Sequence, residues 1–475
     1  MTTSAPSSPL NVVVMAAGKG TRMKSLKPKV LQKLAGRSLL DHVLATAQQL
    51  DAQQSIVITG HQADVVEAAT TKTWDGHHNM RIQFARQSPQ LGTGHAVQQA
   101  APLLDESSIT LVLSGDVPLT AATTLRDLIS TCANTNGGQS LAILTVEHPT
   151  PSGYGRVIRG AQNEVLAIVE HKDANETQRA ISEIYSGIMA VPTALLRKWL
   201  SRLENTNAQG EYYLTDIVKF AVADGVSVSG VCIDDPIQVE GVNSPHQLAA
   251  LERAYQTHQA SDLMDAGVRL ADPQRLDVRG QLQCGQDVEI DINCIFSGNV
   301  SLADGVQVGA HCVLSNCTID AGVILHPYTH IDGGKQGVTI GANSLIGPFA
   351  RLRPGAVLGQ EVHIGNFVEV KNSTLANGAK ANHLAYLGDA SVGERVNYGA
   401  GSITANYDGA NKHRTVIEAD VHVGSNCVLV APVTVGAGGT IGAGSTITKD
   451  TPAQSLSVVR AKQLSINNWT RPVKK

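Results

Sequence analysis

Aliphatic residues recur at every sixth position through much of the second half of the chain. The first series runs through Ile290, Phe296, Leu302, Val308 and Leu314, and after a one-residue shift it continues at Ile319, Leu325 and Ile331. Two further series are Ile340, Ile346, Leu352, Leu358, Ile364 and Val370, and then Val423, Leu429, Val435, Ile441 and Ile447. A helix repeats every ~3.6 residues and a strand every two, so neither explains this period. It is typical of the hexapeptide repeat of a parallel β-helix, whose aliphatic residues point inward, and we predict that architecture.

The first half of the chain instead alternates short apolar runs with amphipathic stretches. Apolar runs of strand length lie at 11–16, 55–60, 109–114 and 141–146, and apolar residues at helical spacing lie between them, at 39–50 and 123–132. Strands that alternate with helices predict a mostly parallel, Rossmann-like sheet with helices on both faces. Such sheets bind ligands beyond the carboxyl ends of their strands. The predicted fold class is therefore an α/β domain followed by an all-β domain.

The changes of pattern also predict the domain boundaries. Residues 1–10 are rich in Ser, Pro and Thr and are expected to be disordered, and residues 11–242 form the α/β domain. Residues 243–265 are expected to form a long amphipathic linker helix, and residues 266–475 the β-helix domain with its tail. The tail at 449–475 lies beyond the repeats and is expected to be irregular or a short helix. A chain of 475 residues is too long for one hydrophobic core, which agrees with this division.

Composition narrows the functional classes. With 42% hydrophobic and 16% charged residues the chain is expected to be a folded, soluble protein, and a net charge of −4 gives no reason to expect nucleic acid as a partner. No apolar run is long enough to span a bilayer, and the N-terminus lacks the features of a secretion signal. The seven cysteines show no C-x-x-C pair, which favours free thiols in a reducing compartment. We therefore expect a cytoplasmic protein.

The first apolar run ends in a glycine turn flanked by basic residues. Gly18 and Gly20 form the turn, Arg22 follows it, and Lys29 comes shortly after. Glycines let backbone N–H groups approach phosphate oxygens, and the two basic side chains supply countercharge. The P-loop pattern G-x-x-x-x-G-K-[ST] is absent from this segment. An ordinary glycine turn with solvated basic residues is the alternative, but the position directly after a strand favours a nucleotide site.

Seven segments resemble, in the same order, the motifs of sugar-phosphate nucleotidyltransferases. They lie at 16–23, 90–96, 114–119, 153–156, 170–173, 209–213 and 239–243. With the hexapeptide repeats added, the pattern is similar to that of the family of bifunctional N-acetylglucosamine-1-phosphate uridyltransferases and glucosamine-1-phosphate acetyltransferases. The resemblance extends from residue 11 to the C-terminus, and it implies that the β-helix is left-handed.

The resemblance implies the residues of a uridylyl-transfer site. Asp116 and Asn243 are the implied magnesium ligands, and Arg22 and Lys29 are the implied catalytic cations. Mg²⁺ binds oxygen ligands and commonly combines few protein groups with substrate phosphates, so one carboxylate and one amide are sufficient. On position alone, Asp116 has the alternative role of a buried helix cap. The implied nucleotide and sugar positions are Met15, Ala16, Ala17, Gly18, Lys29, Gln87, Gly92, Thr93, Ser114, Gly115, Asp116, Gly155, Glu170, Tyr185 and Asn243.

One of these positions departs from the family pattern. Where the family usually reads Glu-Ile-Asn-Thr-Gly, this chain has Tyr185 and Ser186 in place of Asn and Thr. A tyrosine hydroxyl can still donate a hydrogen bond to a sugar. The tyrosine ring is bulkier than an asparagine side chain, however, so this departure affects the sugar contact that the resemblance implies.

The six-residue period breaks between Val370 and Val423, and this stretch is rich in functional groups. Loops that leave a solenoid often carry function, and His383 lies here. A lone histidine is ambiguous between a surface residue and a catalytic base. The resemblance implies that His383 removes a proton from the attacking amine, with Glu369 as a partner that orients the imidazole.

The resemblance also implies the remaining positions of an acetyl-transfer site. Two implied cations, Arg353 and Lys371, meet the phosphate of glucosamine 1-phosphate. The other implied contacts to this substrate are Tyr386, Asn397, Asn406 and Tyr407. The implied acetyl-coenzyme A positions are Ala400, Ser425, Ala443 and Arg460. Enzymes with this β-helix are trimers that share sites between neighbours, so a homotrimer is expected.

The leading hypothesis is a bifunctional enzyme. It transfers acetyl from acetyl-CoA to glucosamine 1-phosphate, and then performs Mg²⁺-dependent uridylyl transfer from UTP to give UDP-N-acetylglucosamine and pyrophosphate. That product feeds peptidoglycan and lipopolysaccharide synthesis. One alternative is a single-activity sugar-phosphate nucleotidyltransferase with a regulatory or structural β-helix, and His383, Tyr386, Asn397 and Arg460 argue against it. The other is a non-catalytic scaffold, against which Arg22, Lys29, Asp116 and Asn243 argue.

Overall fold

The chain divides into two compact units, and the point of division falls within one long helix. The structure is a computed structural model, and it describes residues 9–76 and 80–474. The units are Met1–Tyr255 and Gln256–Lys475, so their boundary falls inside the interval 243–265 expected for the linker. Of the expected disordered segment 1–10, residues 1–8 lie outside the described residues, and the first strand begins at Leu10.

The first unit alternates strands and helices. Its strands are β1 (Leu10–Met15), β2 (Lys33–Leu34), β3 (Arg37–Ser38), β4 (Gln54–Thr59), β5 (Arg81–Arg86), β6 (Ile109–Ser114), β7 (Ser140–Glu147), β8 (Gly155–Arg159), β9 (Val165–Val169), β10 (Glu183–Pro192) and β11 (Ser227–Ile233). Its helices are α1 (Leu39–Gln49), α2 (Ala63–Trp74), α3 (Thr93–Ala100), α4 (Ala122–Asn134), α5 (Glu176–Arg179), α6 (Thr193–Leu200), α7 (Asp216–Ala223) and the first part of α8 (Pro245–Asp265).

The main sheet of this unit has the order β11-β7-β10-β6-β1-β4-β5, with β8 and β9 as a side branch. Strand β1 is parallel to β4 and β6, whereas β10 is antiparallel to both of its neighbours β6 and β7. Buried apolar residues cover both faces of the sheet, which is why β1 and β6 are continuous apolar runs. The prediction of a mostly parallel sheet is therefore confirmed.

The second unit is built almost entirely from short parallel strands. They are β12 (Arg269–Leu270), β13 (Leu276–Cys284), β14 (Glu289–Ile290), β15 (Cys294–Leu302), β16 (Gln307–Val308), β17 (Val313–Ile319), β18 (Ile324–Leu325), β19 (His330–Asp332), β20 (Val338–Ile340), β21 (Leu345–Ile346), β22 (Arg351–Leu352), β23 (Val357–Leu358), β24 (His363–Asn366), β25 (Glu369–Lys371) and β26 (Thr374–Leu375). The series continues with β27 (Lys380–His383), β28 (Tyr386–Gly388), β29 (Ala390–Val392), β30 (Asn397–Tyr398), β31 (Ile403–Ala405), β32 (Thr415–Ile417), β33 (His422–Val423), β34 (Val428–Val430), β35 (Val433–Val435), β36 (Thr440–Ile441), β37 (Thr446–Ile447) and β38 (Leu456–Ser457).

Successive strands fall in turn on three faces of a parallel β-helix. The first face runs through β12, β14, β16, β18, β21, β24, β27, β30, β33, β36 and β38. The second continues from β19 through β22, β25, β28, β31, β34 and β37, and the third from β20 through β23, β26, β29, β32 and β35. The repeat residues are buried in one continuous core, which confirms the predicted architecture.

The predicted break of the repeat between Val370 and Val423 is wrong for most of that stretch. The coil continues with inward residues Leu375, Ala381, Leu387, Val392, Tyr398 and Thr404, all of them buried. The aliphatic pattern misses them because some spacings are five rather than six, and because Ala381 and Tyr398 occupy positions where most of the other coils have Val, Ile or Leu. These two are stacked neighbours, so a small side chain offsets a large one. The real interruption is the loop between β31 and β32.

The two ends of the second unit add smaller corrections. Within α8, Leu251 is buried in the core of the first unit and Ala260 in that of the second, so the helix has no single apolar stripe. In the described part of the tail, β38 pairs with β36 as one further coil and residues 458–474 are irregular, the first of the two expected forms. All seven cysteines are free thiols. Across the described ranges, no helix is both long and apolar enough to cross a membrane.

Candidate functional sites

The first unit has a cavity of about 470 Å³ at the carboxyl ends of β1 and β6. Most of the predicted nucleotide residues line it: Met15, Ala16, Ala17, Gly18, Lys29, Gln87, Gly92, Thr93, Ser114 and Asp116. A second cavity of about 280 Å³ is lined by Arg22, Ser114, Asp116 and Asn243. Gly115 instead donates its backbone N–H to the carbonyl of Met15, which holds the ends of the two strands together. The structure therefore brings these predicted residues to one edge of the sheet, as expected for a sheet of this type.

Two glycines shape the first cavity. Gly20 has a φ of 61°, and a Cβ there would stand 2.7 Å from the Cβ of Lys29, so only glycine fits. Gly92 has a φ of 109°, and its missing Cβ leaves room for the carbonyl oxygen of Tyr212. The side-chain amide of Gln87 donates to the Gly92 carbonyl over 2.9 Å. These contacts place the turn after β1 and the start of α3 on opposite sides of the cavity.

Asp116, Asn243 and Lys29 meet at one point between the two cavities. The Lys29 ammonium pairs with an Asp116 carboxylate oxygen and lies 3.1 Å from Asn243 Oδ1. The segments are joined by a backbone hydrogen bond of 2.9 Å from the Val242 N–H to the Asp116 carbonyl. A carboxylate and an amide oxygen thus approach the same cationic atom, and both are ligand types that Mg²⁺ prefers. Asp116 does not act as the helix cap that its position allowed, because α4 begins at Ala122.

Gly155, Glu170 and Tyr185 lie together where β8 pairs with β10, and none of them lines either of the two cavities. Gly155 and Tyr185 are register partners on β8 and β10, and the missing side chain of Gly155 faces the Glu170 carboxylate. Burial raises the pKa of Glu170, which accepts a hydrogen bond of 3.0 Å from Thr215. The Tyr185 hydroxyl is buried and has no hydrogen-bond partner among the described residues, and its burial raises its pKa. Their role as sugar contacts stays a prediction.

In the second unit, one corner column contains most of the predicted acetyl-coenzyme A positions. His383 ends β27, and the register of the first face places Ala400, then Ser425, then Ala443 above it in successive coils. Arg460 follows beside Gly444, with its Cδ 3.6 Å from the position a Cβ would take there. The column therefore runs parallel to the β-helix axis and ends at His383.

The partner of His383 differs from the predicted one. Its Nδ1 lies 2.8 Å from the side-chain oxygen of Asn366, which is its register partner on β24. Glu369 instead forms ion pairs with Arg353 at 2.9 Å and with Arg351 at 3.4 Å. The reason is geometric, because Glu369 lies on the second face and stacks on Tyr386 rather than on His383.

Arg353 and Lys371 lie at the far edge of the second face with a third cation, Lys412. The ammonium of Lys412 contacts that of Lys371, and this like charge and burial lower the pKa of Lys371. The Tyr386 hydroxyl lies beside Gly388, where a Cβ would stand only 2.3 Å from it. Three cations, partly offset by the carboxylates of Glu369 and Asp389, form a site suited to a phosphate.

The other predicted substrate residues divide between two faces. The Asn406 amide donates to Asp389, a buried carboxylate that Asn372 also contacts. Tyr407 begins the loop after β31, and its hydroxyl donates to the Gly409 carbonyl over 2.6 Å. Asn397 is exposed on the first face, whereas Lys371 and Tyr386 belong to the second. A single chain therefore does not gather the six predicted substrate residues into one pocket.

Sequence reasoning missed several residues at these sites. Glu211 and Gln90 line the nucleotide cavity, and Asn366, Asp389 and Lys412 contact predicted residues of the β-helix. The only sequence signal for Lys412 is the basic run 412–414 in the interrupting loop. Asn366 carries no such signal, because its role depends on which residues stack in successive coils, whereas Asp389 follows Tyr386 and Gly388 in the same segment as His383.

Fold and sites together define a nucleotidyltransferase joined to a hexapeptide-repeat acyltransferase. Family models agree: the MobA-like NTP transferase domain matches residues 12–214, the GMPPB C-terminal domain 278–377, and the bacterial transferase hexapeptide (six repeats) 414–449. The chain is 67% identical to "Bifunctional protein GlmU" of Polaromonas sp. (strain JS666) and 68% identical to that of Polaromonas naphthalenivorans (strain CJ2). Each alignment covers 98% of this chain and 98% of the relative. The chain therefore belongs to the GlmU family and is a bifunctional uridyltransferase and acetyltransferase.

A solved structure is also similar to part of the chain. The crystal structure of UDP-glucose pyrophosphorylase complexed with UDP-glucose covers 52% of this chain with a TM-score of 0.43 and 16% identity. That likeness is too distant to carry an argument about function. The assignment to the family rests on the relatives that match over the full length.

Proposed function

We propose that the two cavities at the edge of the main sheet bind UTP and N-acetylglucosamine 1-phosphate. The observation that carries this proposal is the convergence of Asp116, Asn243 and Lys29 where the cavities adjoin. Backbone N–H groups of the glycine turn, with Lys29 and Arg22, would offset the charge of the triphosphate. Gln87, Gly92 and Thr93 line the nucleotide side, and Glu170 and Tyr185 are the proposed sugar contacts.

Asp116 and Asn243 are the proposed magnesium ligands. Their oxygens already share a cationic neighbour in the Lys29 ammonium, so the donor set fits a hard divalent cation. The described residues contain no cluster of three or more His, Cys, Asp or Glu that could hold a metal, so substrate phosphates would complete the coordination. When bound, Mg²⁺ would neutralise phosphate charge and orient the triphosphate.

In uridylyl transfer, a phosphate oxygen of the sugar 1-phosphate attacks the α-phosphorus of UTP and expels pyrophosphate. The attacking phosphate is already ionised at neutral pH, so this step needs no general base. The residues of the chain act by holding both substrates in line and by neutralising charge. Arg22, exposed at the rim of the smaller cavity, is the proposed neutralising cation on that side.

Acetyl transfer is proposed at the His383 corner. The column of Ala400, Ser425 and Ala443 offers a track of small side chains for the pantetheine arm, and Arg460 would pair with coenzyme phosphates. His383 would take a proton from the amine of glucosamine 1-phosphate, which then attacks the thioester carbonyl. The phosphate would bind to the cations Arg353, Lys371 and Lys412.

We infer a homotrimer from the exposed corner beside this column. His311, Tyr328, Phe349 and Phe367 stack in successive coils with ring centroids 4.8, 4.9 and 5.2 Å apart, and Leu384 follows them. Tyr328, Phe349, Phe367 and Leu384 are each about half exposed. An apolar ladder of this kind favours burial against another chain. A neighbour packed here would also bring a second set of site residues to His383, which agrees with a shared site. We further propose a cytoplasmic location.

Product analysis tests the two activities together. Glucosamine 1-phosphate, acetyl-CoA, UTP and Mg²⁺ are supplied together and then omitted one at a time, and products are separated by chromatography. UDP-N-acetylglucosamine is expected only with all four. Without UTP the product should be N-acetylglucosamine 1-phosphate, and supplying that intermediate should remove the need for acetyl-CoA. A UDP-sugar that forms from glucosamine 1-phosphate and UTP without acetyl-CoA would support the single-activity alternative.

Two variants serve as reciprocal controls. Asp116→Ala should stop uridylyl transfer and leave acetyl transfer near normal, because it removes one of two proposed magnesium ligands. His383→Ala should lower the kcat of acetyl transfer by roughly 10²–10⁴-fold and leave uridylyl transfer unchanged. Equal loss of both activities in either well-folded variant would contradict the residue assignments.

A further inference from the structure

Asn366 and His383 occupy adjacent rungs of one corner of the β-helix. Asn366 ends β24 and His383 ends β27, and the two are direct register partners. Gly365 brings the two coils close at this point, because a Cβ there would stand 1.9 Å from the Asn382 carbonyl oxygen. The contact is therefore fixed by the backbone of the coil rather than by a mobile loop.

The polarity of this contact determines the tautomer of the imidazole. A carboxamide oxygen only accepts hydrogen bonds, and the Asn366 oxygen lies 2.8 Å from Nδ1 of His383. Nδ1 must then carry the proton and donate it. In a neutral imidazole the other nitrogen, Nε2, is left with a free lone pair. That is the nitrogen state which a general base needs.

An amide has a different electrostatic effect from a carboxylate at this position. A carboxylate beside an imidazole favours the imidazolium and raises its pKa. Asn366 is neutral, and the nearest carboxylate that sequence had suggested, Glu369, is paired with Arg353 and Arg351. On β27 and its paired strands β24 and β30, the ionisable side chains are Lys380, His363 and the buried Tyr398, and Lys380 and His363 lie at the opposite strand end.

We infer that Asn366 is a positioning residue for acetyl transfer: it holds His383 in the Nδ1–H tautomer, which leaves the Nε2 lone pair of the neutral imidazole free to accept a proton. This inference rests on the proposed role of His383 as the base. It adds a residue outside the substrate contacts, and it replaces Glu369 as the orienting partner.

Three variants of the full-length protein test the inference by steady-state kinetics of acetylation. Asn366→Ala should lower kcat about tenfold, the value of one hydrogen bond, with little change in KM. Asn366→Asp should retain most of the acetylation rate at high pH. The rising limb of its profile of kcat/KM against pH should move to higher pH, because the carboxylate stabilises the imidazolium. The substrate amine titrates equally in all variants, so the comparison with wild type isolates this shift. Asn377→Ala is the control, because Asn377 makes a similar corner hydrogen bond to the Gln360 N–H, away from the site.

A double-mutant cycle separates failure of this inference from failure of the proposed function. If Asn366 acts through His383, adding Asn366→Ala to His383→Ala should cost no further rate. If His383→Ala alone keeps the full acetylation rate, the proposed base is wrong. If His383→Ala is slow but Asn366→Ala is as active as wild type and Asn366→Asp leaves the pH profile unmoved, only the positioning role is overturned. Selective ¹⁵N labelling of histidine, with the His383 signals identified by their loss in His383→Ala, should show a protonated Nδ1, and a protonated Nε2 at neutral pH would also overturn it.

Discussion

The two functional regions of this chain are assembled in different ways. In the first unit, residues from β1, β6 and the start of α3 surround a cavity of about 470 Å³ formed by a single chain. In the second unit, the predicted residues lie along an exposed corner and on two different faces of a prism. An α/β sheet ends its strands together and so collects side chains at one edge. A β-helix repeats the same surface along an axis, so the predicted residues of its site are distributed along and around that axis.

This difference has a functional consequence. The uridylyl-transfer site is expected to be complete within one chain, whereas the acetyl-transfer site is expected to need a neighbour. Four predictions follow from this contrast, in order of decreasing expected effect.

The largest effect is expected from removing the β-helix altogether. A fragment that ends at Met264 should keep uridylyl transfer and lose acetyl transfer completely, because the first unit has its own buried cores. The measurement is pyrophosphate release from UTP and N-acetylglucosamine 1-phosphate. Circular dichroism and a cooperative melt establish that the fragment is folded. A folded but inactive fragment would mean that the first site is not self-contained.

Charging the apolar ladder should separate the two activities in the full-length chain. Phe367→Asp places a carboxylate among the stacked rings, which should weaken association by about 2–4 kcal/mol if a neighbour covers them. Acetyl transfer should then fall on dilution while uridylyl transfer does not. Phe367 has a φ of 56°, a conformation that aspartate tolerates better than phenylalanine, so the variant should fold.

Sedimentation velocity provides the measurement of assembly for that variant. Val357→Asp is the matched control, because Val357 is also about half exposed but lies on the third face. If both variants dissociate to the same extent, the ladder is not the surface that holds the subunits together. A Phe367→Asp protein that stays assembled and acetylates normally would falsify the shared-corner interpretation.

A smaller effect is expected at the phosphate end of the acetyl-transfer site. Lys412→Ala should raise the KM for glucosamine 1-phosphate about tenfold with little change in kcat, because a charge-assisted hydrogen bond is lost. The loss is partly offset, since removing Lys412 also removes the repulsion that lowers the pKa of Lys371. Lys380→Ala, on the first face, is the control and should leave KM unchanged. An unaltered KM in Lys412→Ala would place the phosphate elsewhere.

The smallest effects are expected from substituting two buried tyrosines, one in each unit. Tyr185 and Tyr398 both have buried hydroxyls without a hydrogen-bond partner among the described residues. Changing either to Phe removes an unsatisfied polar group and should stabilise the chain by about 1 kcal/mol. Only Tyr185→Phe should also raise the KM for N-acetylglucosamine 1-phosphate, by severalfold, because its hydroxyl is the proposed sugar contact. Thermal unfolding and uridylyl kinetics are the two measurements, and equal KM values in both variants would remove Tyr185 from the sugar site.

Local pattern determined much of this protein. The six-residue period predicted the β-helix because every inward position needs an apolar side chain, whatever the distant sequence. The strand runs of the first unit were placed within two residues of their observed ends, because a sheet covered on both sides requires continuous apolar strands. The glycine turn with Gly20 was identifiable because it directly follows an apolar strand and is flanked by Arg22 and Lys29.

Tertiary structure alone decided which residues stack. His383 rests on Asn366 because the coil between them has 17 residues, and a full coil of 18 would have placed Gly365 there instead. The five-residue side that shortens this coil, from Val370 to Leu375, interrupts the six-residue series, so the series does not predict which outward residues stack. Sequence therefore suggested Glu369 as the partner of His383, although Glu369 stacks on Tyr386.

The same limit applies to Lys412, which meets Lys371 only because the loop after β31 folds back through the Tyr407–Lys412 bridge. Sequence specified the inward side chains because each obeys a local requirement for burial. Which outward-facing residues contact each other depends on the length of each coil and on the path of the loops, and both are properties of the whole fold.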